Sequence, residues 1–186
     1  MISPGGPKSG VFTEKKAAAM IHLHIRKAEP EDLDGILAIY NEEVLNGIAT
    51  FALEPMSQKD GLIWLAEHDG GNRCVYVGLA EDGGVVGYVS LSRFRPKGGY
   101  DRTAELSVYV AKPYRGQGAA SQLMEFILRQ AKADPTLRAL VSIITSSNTP
   151  SRNLHEKYGF RHAGTLREVG WKFGIALDAD YYELLV

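Results

Sequence analysis

The stretch Arg115-Gly116-Gln117-Gly118-Ala119-Ala120 follows a strand-like run and opens a helix-like one, an order of residue types suited to holding an anion. The first N–H groups of a helix have no internal acceptor, and the aligned peptide dipoles add positive potential there. Phosphate binds at such an end when glycines let the backbone come close. Arg115 adds a guanidinium for a charge-assisted contact. The pattern points to a ligand carrying pyrophosphate. A P-loop is excluded, because no lysine follows the glycines. A dinucleotide fingerprint fits poorly. Ser121 stands where its third glycine belongs, and the acid expected ~20 residues on has no better occupant than Asp134, beside Pro135. On this loop alone, a third reading stays open, in which the glycines only punctuate a turn.

A wider frame carries more. Val108-Tyr109-Val110, Pro113, Arg115-Gly116, Gly118, Ala120 and Leu123 together resemble the acetyl-CoA-binding motif of the GNAT N-acetyltransferases. Further along, Asn148, Ser151, Leu154, Lys157 and Gly159-Phe160 resemble the superfamily's second cofactor motif. Two motifs in this order are far more specific than either one, and the resemblance covers residues 23–186. It implies an α/β (α+β) fold, with a mixed, mostly antiparallel sheet, a splayed central strand pair, and helices around it. It also implies acetyl-CoA as cofactor. The pyrophosphate would lie on the backbone of Arg115 to Ala120, Gln117 and Ala119 included. The pantetheine arm would run between strands Ala104–Val110 and Leu140–Ile144, touching Ser107, Val108, Val110 and Asn148, with Ser151 and Tyr158 alongside.

Several segments are similar to one branch, the phosphinothricin and methionine sulfoximine (methionine sulfone) acetyltransferases. They are Ile39-Tyr40-Asn41 with Ile48-Ala49-Thr50-Phe51, Phe94-Arg95-Pro96 with Tyr100 and Thr103-Ala104-Glu105, Leu154-His155-Glu156, and Gly170-Trp171-Lys172-Phe173-Gly174. The implied acceptor is the α-amine of an amino acid or close analogue. Such an amine, with pKa ~8, is mostly protonated at pH 7 and must lose that proton to attack a thioester. A carboxylate that takes the proton up, directly or through water, contributes ~10²–10⁴-fold. An arbitrary strand glutamate is only a partly exposed side chain, but Glu105 matches the branch's Thr-x-Glu-x-x-Val-Tyr-Val pattern and is the candidate base.

His155 stands where many relatives place a tyrosine that acts as general acid toward the departing thiolate. A histidine there can serve as acid, base or hydrogen-bond donor. Tyr158, one turn on, is the alternative acid, or a packing residue. A backbone N–H near Ser107 or Val108 would face the carbonyl oxygen. Arg95 suits the acceptor's carboxylate, against a solvated role in the basic loop Arg93–Lys97. Phe51, Phe94, Tyr100 and Thr145 are assigned to the acceptor pocket. Two other functions compete: acetylation of a protein N-terminus, lysine or polyamine, and CoA binding without turnover. No cluster of histidine, cysteine and acids has metal-ligand spacing, so no metal is expected.

The elements that must position these groups are readable in the hydrophobic pattern. Leu23–Ala28 alternates as a strand. Pro30 opens a helix whose buried stripe is Leu33, Ile36, Leu37, Tyr40 and Val44, ended by Asn46-Gly47. Ser57 and Asp60 form a capping-box pattern for a second helix reaching Glu67. Asp82-Gly83-Gly84 joins strands Cys74–Ala80 and Val85–Leu91 in a hairpin. After the polar loop Arg93–Arg102 comes strand Ala104–Val110, blocked by Pro113. A helix follows from Ala119, with Leu123, Met124, Ile127, Leu128 and Ala131 inward, and then a buried strand, Leu140–Ile144. A short helix spans Ser151–Tyr158, and two strands, Thr165–Phe173 and Tyr181–Val186, complete about seven strands and four helices.

Length and composition agree with this plan. The 186 residues, 45% hydrophobic and 23% charged, suit one domain with one sizeable core. Residues 1–20, with Pro4-Gly5-Gly6-Pro7, read as a disordered leader, leaving 21–186 as the domain. A net charge of −1 argues against a nucleic-acid partner, and no apolar run suits a membrane span or a signal peptide. The single cysteine, Cys74, reads as a buried structural thiol in a reducing cytoplasm. The branch resemblance implies a homodimer.

Overall fold

A computed structural model describes residues 20–186, so the expected leader up to residue 19 lies outside the described residues. Seven strands form one sheet: β1 (His24–Lys27), β2 (Cys74–Leu79), β3 (Val85–Arg93), β4 (Thr103–Val110), β5 (Ala139–Thr145), β6 (Arg161–Lys172) and β7 (Ile175–Leu185). Their spatial order is β1-β2-β3-β4-β5-β7-β6. Every neighbouring pair is antiparallel except β4 and β5, which are parallel. Among the described residues four α-helices cover the sheet: α1 (Leu33–Asn46), α2 (Gln58–Glu67), α3 (Ala119–Ala133) and α4 (Thr149–Lys157).

The period-two alternation of the strands sorts their side chains into two cores. On one face, Leu123, Met124 and Ile127 of α3 pack against Val89, Leu91, Leu106 and Leu140. On the other, Ile36 and Ile39 of α1 meet Val75, Val77 and Tyr88. On β3 the odd residues 89 and 91 therefore face α3, while Tyr88 faces α1 and α2. Tyr88 stacks on its β4 partner Tyr109 with ring centroids 5.2 Å apart, which fixes the face of the odd residues of β4. Cys74 packs half-buried against the α3 core, and burial pushes its thiol up to about 11, which keeps it protonated and inert.

Three local outcomes differ from the sequence pattern. In α1, Tyr40 is only half-buried, while Ile39 and the charged Glu43 are buried. Ser57 does cap α2, accepting from the Asp60 amide at 3.2 Å. Asp60 answers the Ser57 hydroxyl at 2.6 Å rather than the backbone N–H of a full capping box. β6 and β7 are longer than their apolar runs suggest. β6 starts at Arg161 and crosses two irregularities, after His162 and after Leu166. Phe173 and Gly174, with φ of 53° and 77°, make the tight turn into β7, positive at both positions as a two-residue hairpin requires.

Candidate active site

The site begins where the sheet comes apart. β4 and β5 pair only at Thr103–Ala139, Ala104–Leu140 and Glu105–Val141. Beyond Glu105 they diverge, and the buried Ser142 hydroxyl spans the throat by donating to the Leu106 carbonyl at 2.9 Å. Leu106 therefore aims its backbone at β5, and Val110 does the same, since its carbonyl accepts from Arg115 Nε at 2.9 Å. Backbone direction alternates along a strand, so Val108, midway between them, turns its N–H and C=O into the gap. Ser107, directly opposite Ser90, faces β3 instead. Of the two expected backbone donors, Val108 is the one with the right direction. The gap is a cleft of about 620 Å³ between β4 and β5, closed at one end by α3 and along one side by α4.

The glycine loop forms the end wall. Gly116 and Gly118 have φ of 75° and 83°, a region closed to most other residues. The first intrahelical bond of α3 runs from Gln122 N–H to the Gly118 carbonyl, so the N–H groups of Ala119, Ala120 and Ser121 precede the ladder. Gly116, Gly118, Ala119 and Ala120 all line the cleft. Two side chains of the loop are held by the protein. Gln117 braces the turn by donating to the Pro113 carbonyl at 2.7 Å. Arg115, expected on phosphate, also lines the cleft, but its Nη2 donates to Glu43 Oε1 at 2.6 Å and its Nε to the Val110 carbonyl, which ties that side chain to the protein.

α4 supplies the side wall. Asn148 is its N-cap, its Oδ1 accepting from the Ser151 amide at 3.3 Å, and both residues line the cleft. His155 also lines it and is buried. Its Nδ1 lies 2.8 Å from the Ser151 carbonyl, which can only accept, so Nδ1 carries the proton. Burial lowers its tendency to protonate, and Nε2 is a buried atom without a partner. A neutral ring of this tautomer keeps a buried lone pair on Nε2, an acceptor rather than an acid. Tyr158 is turned away, donating to Glu125 Oε1 at 2.7 Å from outside the cleft lining. Neither candidate for general acid has the geometry of one here.

At the throat stands Glu105, half-buried, its carboxyl raised by desolvation and lowered less by Arg95. Arg95 lies over the Phe94 ring, 4.3 Å from its centroid, and Phe94 meets Tyr100 edge-on at 5.7 Å. These three residues form one cluster on the loop after β3, outside the cleft lining, with Arg95 near enough to act on Glu105. Phe51 is elsewhere. It packs on Gly170, where a side-chain carbon would come within 2.7 Å of its ring. Thr145, buried, donates to the Ile48 carbonyl and so ties the loop after α1 to β5. Among the described residues, no group of three histidines, cysteines or acids could hold a metal ion.

The loop 47–51 depends on residues that sequence reasoning passed over. Buried Lys172 donates to the Glu43 and Thr50 carbonyls, both at 2.9 Å. Burial lowers its ammonium, and Glu43 opposes that. Ala49 N–H reaches Glu43 Oε2 at 3.4 Å, and Tyr109 donates to the Ala49 carbonyl at the same distance. A lysine in a strand reads as exposed, and its partners lie far away in sequence. The only signal near it was the branch-like Gly170–Gly174 segment.

Residues 33–160 match the acetyltransferase (GNAT) family. The chain is 36% identical over 163 residues to the phosphinothricin N-acetyltransferase of Streptomyces coelicolor, covering 87% of this chain and 95% of that one. It is 36% identical over 160 residues to the L-methionine sulfoximine/L-methionine sulfone acetyltransferase of Pseudomonas paraeruginosa, covering 86% and 92%. The solved phosphinothricin acetyltransferase of Sinorhizobium meliloti, in complex with acetyl-CoA, superposes with a TM-score of 0.85 at 30% identity, covering 88% of each chain.

Proposed function

Because this chain belongs to the acetyltransferase (GNAT) family, we propose that it transfers acetyl from acetyl-CoA to the α-amine of an amino acid or analogue of the phosphinothricin, methionine sulfoximine or methionine sulfone type. One observation carries the reading: β4 and β5 separate immediately after the half-buried Glu105, and the cleft that opens there is lined from Leu106 onward and ends at a helix N-terminus. The residues fit the donor. Positive-φ glycines and the open N–H groups of α3 suit pyrophosphate, and the Val108 backbone suits an extended amide-bearing arm.

Acetyl-CoA supplies a thioester, and the amine attacks it directly. Glu105 takes the ammonium proton, aided by a carboxyl that burial makes a stronger base than an exposed glutamate. The Val108 N–H faces the acetyl oxygen, where developing negative charge needs a donor. Arg95 offers the acceptor's carboxylate a guanidinium on the Phe94–Tyr100 rim. The thiolate takes its proton from solvent. The enzyme works in the cytoplasm as a homodimer, for which the exposed Trp171, Phe173 and Ile175 on the β6–β7 hairpin supply an apolar face.

The test is a thiol-release assay with acetyl-CoA across free amino acids, their sulfone, sulfoximine and phosphinate analogues, peptides and polyamines. Turnover is expected on the analogues. Release with none of these amines rejects the enzyme reading, and preference for peptide N-termini replaces the acceptor.

A further inference from the structure

Behind Glu105 lies a polar pair that the chemistry above does not use. His68 follows the last residue of α2 and is buried, with the Trp64 ring 4.6 Å away. Its Nδ1 is 2.6 Å from the Trp64 carbonyl, which only accepts, so Nδ1 bears the proton. Burial disfavours the imidazolium. Nε2 is then a lone pair, and the Ser92 hydroxyl 2.8 Å away must donate to it. Ser92 is the direct partner of Glu105 in the β3–β4 ladder. Directly opposed residues share a face with Cβ atoms ~4.5–5.5 Å apart. The Tyr88–Tyr109 stack marks that face as the one toward α1 and α2, where His68 sits.

We propose that His68 is a positioning residue for Glu105: by accepting the hydrogen bond of the Ser92 hydroxyl, it turns that donor away from the neighbouring carboxyl, which therefore holds its proton more tightly. A hydroxyl free to rotate would donate to the carboxylate and do the reverse. The other charges nearby do not supply this effect. Arg95 acts on Glu105 in the opposite sense. Glu67 and Arg73 act on His68 with opposite signs, and Lys27 and Asp69 are bound to each other at 2.5 Å. The role rests on Glu105 being the base proposed above, but the arrangement itself can be read without turnover.

The experiment is a carboxyl ¹³C NMR titration of the full chain, with the Glu105 signal assigned by its loss in Glu105→Gln. His68→Phe should lower the Glu105 midpoint by about one pH unit, because the freed hydroxyl stabilises the carboxylate. In a Ser92→Ala background, the same His68→Phe change should leave it unmoved. No movement in the first case, or an equal drop in the second, overturns the proposal. Imidazole ¹⁵N shifts of the unaltered protein provide a reading that no folding defect can obscure. A neutral ring protonated on Nδ1 is expected from pH 7 to 8, and a proton on Nε2 overturns the proposal equally. Failure of the base assignment would appear separately, as turnover retained in Glu105→Gln with these titrations unchanged.

Discussion

Arg115 separates two accounts of the glycine loop. Its side chain is 46% exposed, but its partner Glu43 is 7% exposed and joined to it at 2.6 Å. In Arg115→Gln, Glu43 keeps only the Ala49 N–H, at 3.4 Å, as a contact to its carboxylate. Breaking a fully buried pair costs ~3–5 kcal/mol, and the half-exposed arginine is screened by solvent, so ~1–3 kcal/mol is expected here. In a domain of this size, ~2 kcal/mol corresponds to a fall in Tm of roughly 4–8 °C. Because Nη2 and Nε are held by Glu43 and Val110, acetyl-CoA affinity measured well below Tm should change by less than ~3-fold, under 1 kcal/mol. Adding Glu43→Gln removes the stranded charge and should restore most of the lost stability. Urea unfolding and calorimetric titration with acetyl-CoA read the two quantities independently. An unchanged Tm with affinity down tenfold or more would refute this account and return Arg115 to the phosphates.

Glu105→Gln should retain acetyl-CoA affinity and lose ~10²–10⁴ in kcat, measured by thiol release; wild-type-like turnover removes Glu105 from the mechanism. Gly118→Val should weaken acetyl-CoA binding. At a φ of 83° a β-branched residue is strained, and its side chain would also meet Met20, so unchanged affinity would undo the loop assignment. Stability should depend on pH through His68 and His155, whose basicity burial lowers. The unfolded chain takes up protons below pH ~6.5 that the native rings resist, so stability is full above that pH and declines as pH falls through the lower native values. Urea midpoints at pH 7.5 and 5.5 test this, and it fails if replacing both histidines leaves the difference unaltered.

Local physics was legible in the sequence wherever a residue acts on its neighbours. The α3 stripe from Leu123 to Ala131, the Asp82-Gly83-Gly84 hairpin and the Ser57 cap all express short-range rules, and each forms. The cleft walls followed too, because their motifs sit on particular elements. Partners distant along the chain were not legible. Glu43 reads as a solvent-facing helix residue, and the Arg115 guanidinium, the Ala49 N–H and the charge of Lys172, all brought in from other elements, make its burial tolerable. The same holds for His155. Nothing in Leu154-His155-Glu156 states that the Ser151 carbonyl will take one ring nitrogen and leave the other as an acceptor.

The three-rung contact between β4 and β5 also governs how the molecule holds together. The sheet is two smaller sheets, β1 to β4 and β5 with β7 and β6, meeting along a short seam with α3 as the chain connection between them. Each is internally antiparallel, and the seam has few backbone bonds of its own. A ligand that bonds both walls works as an added strand across the seam and couples the two halves. Saturating acetyl-CoA should therefore slow amide exchange along the inner edges of β4 and β5 more than at β1 or β6, so that donor occupancy and the cohesion of the sheet become one linked equilibrium.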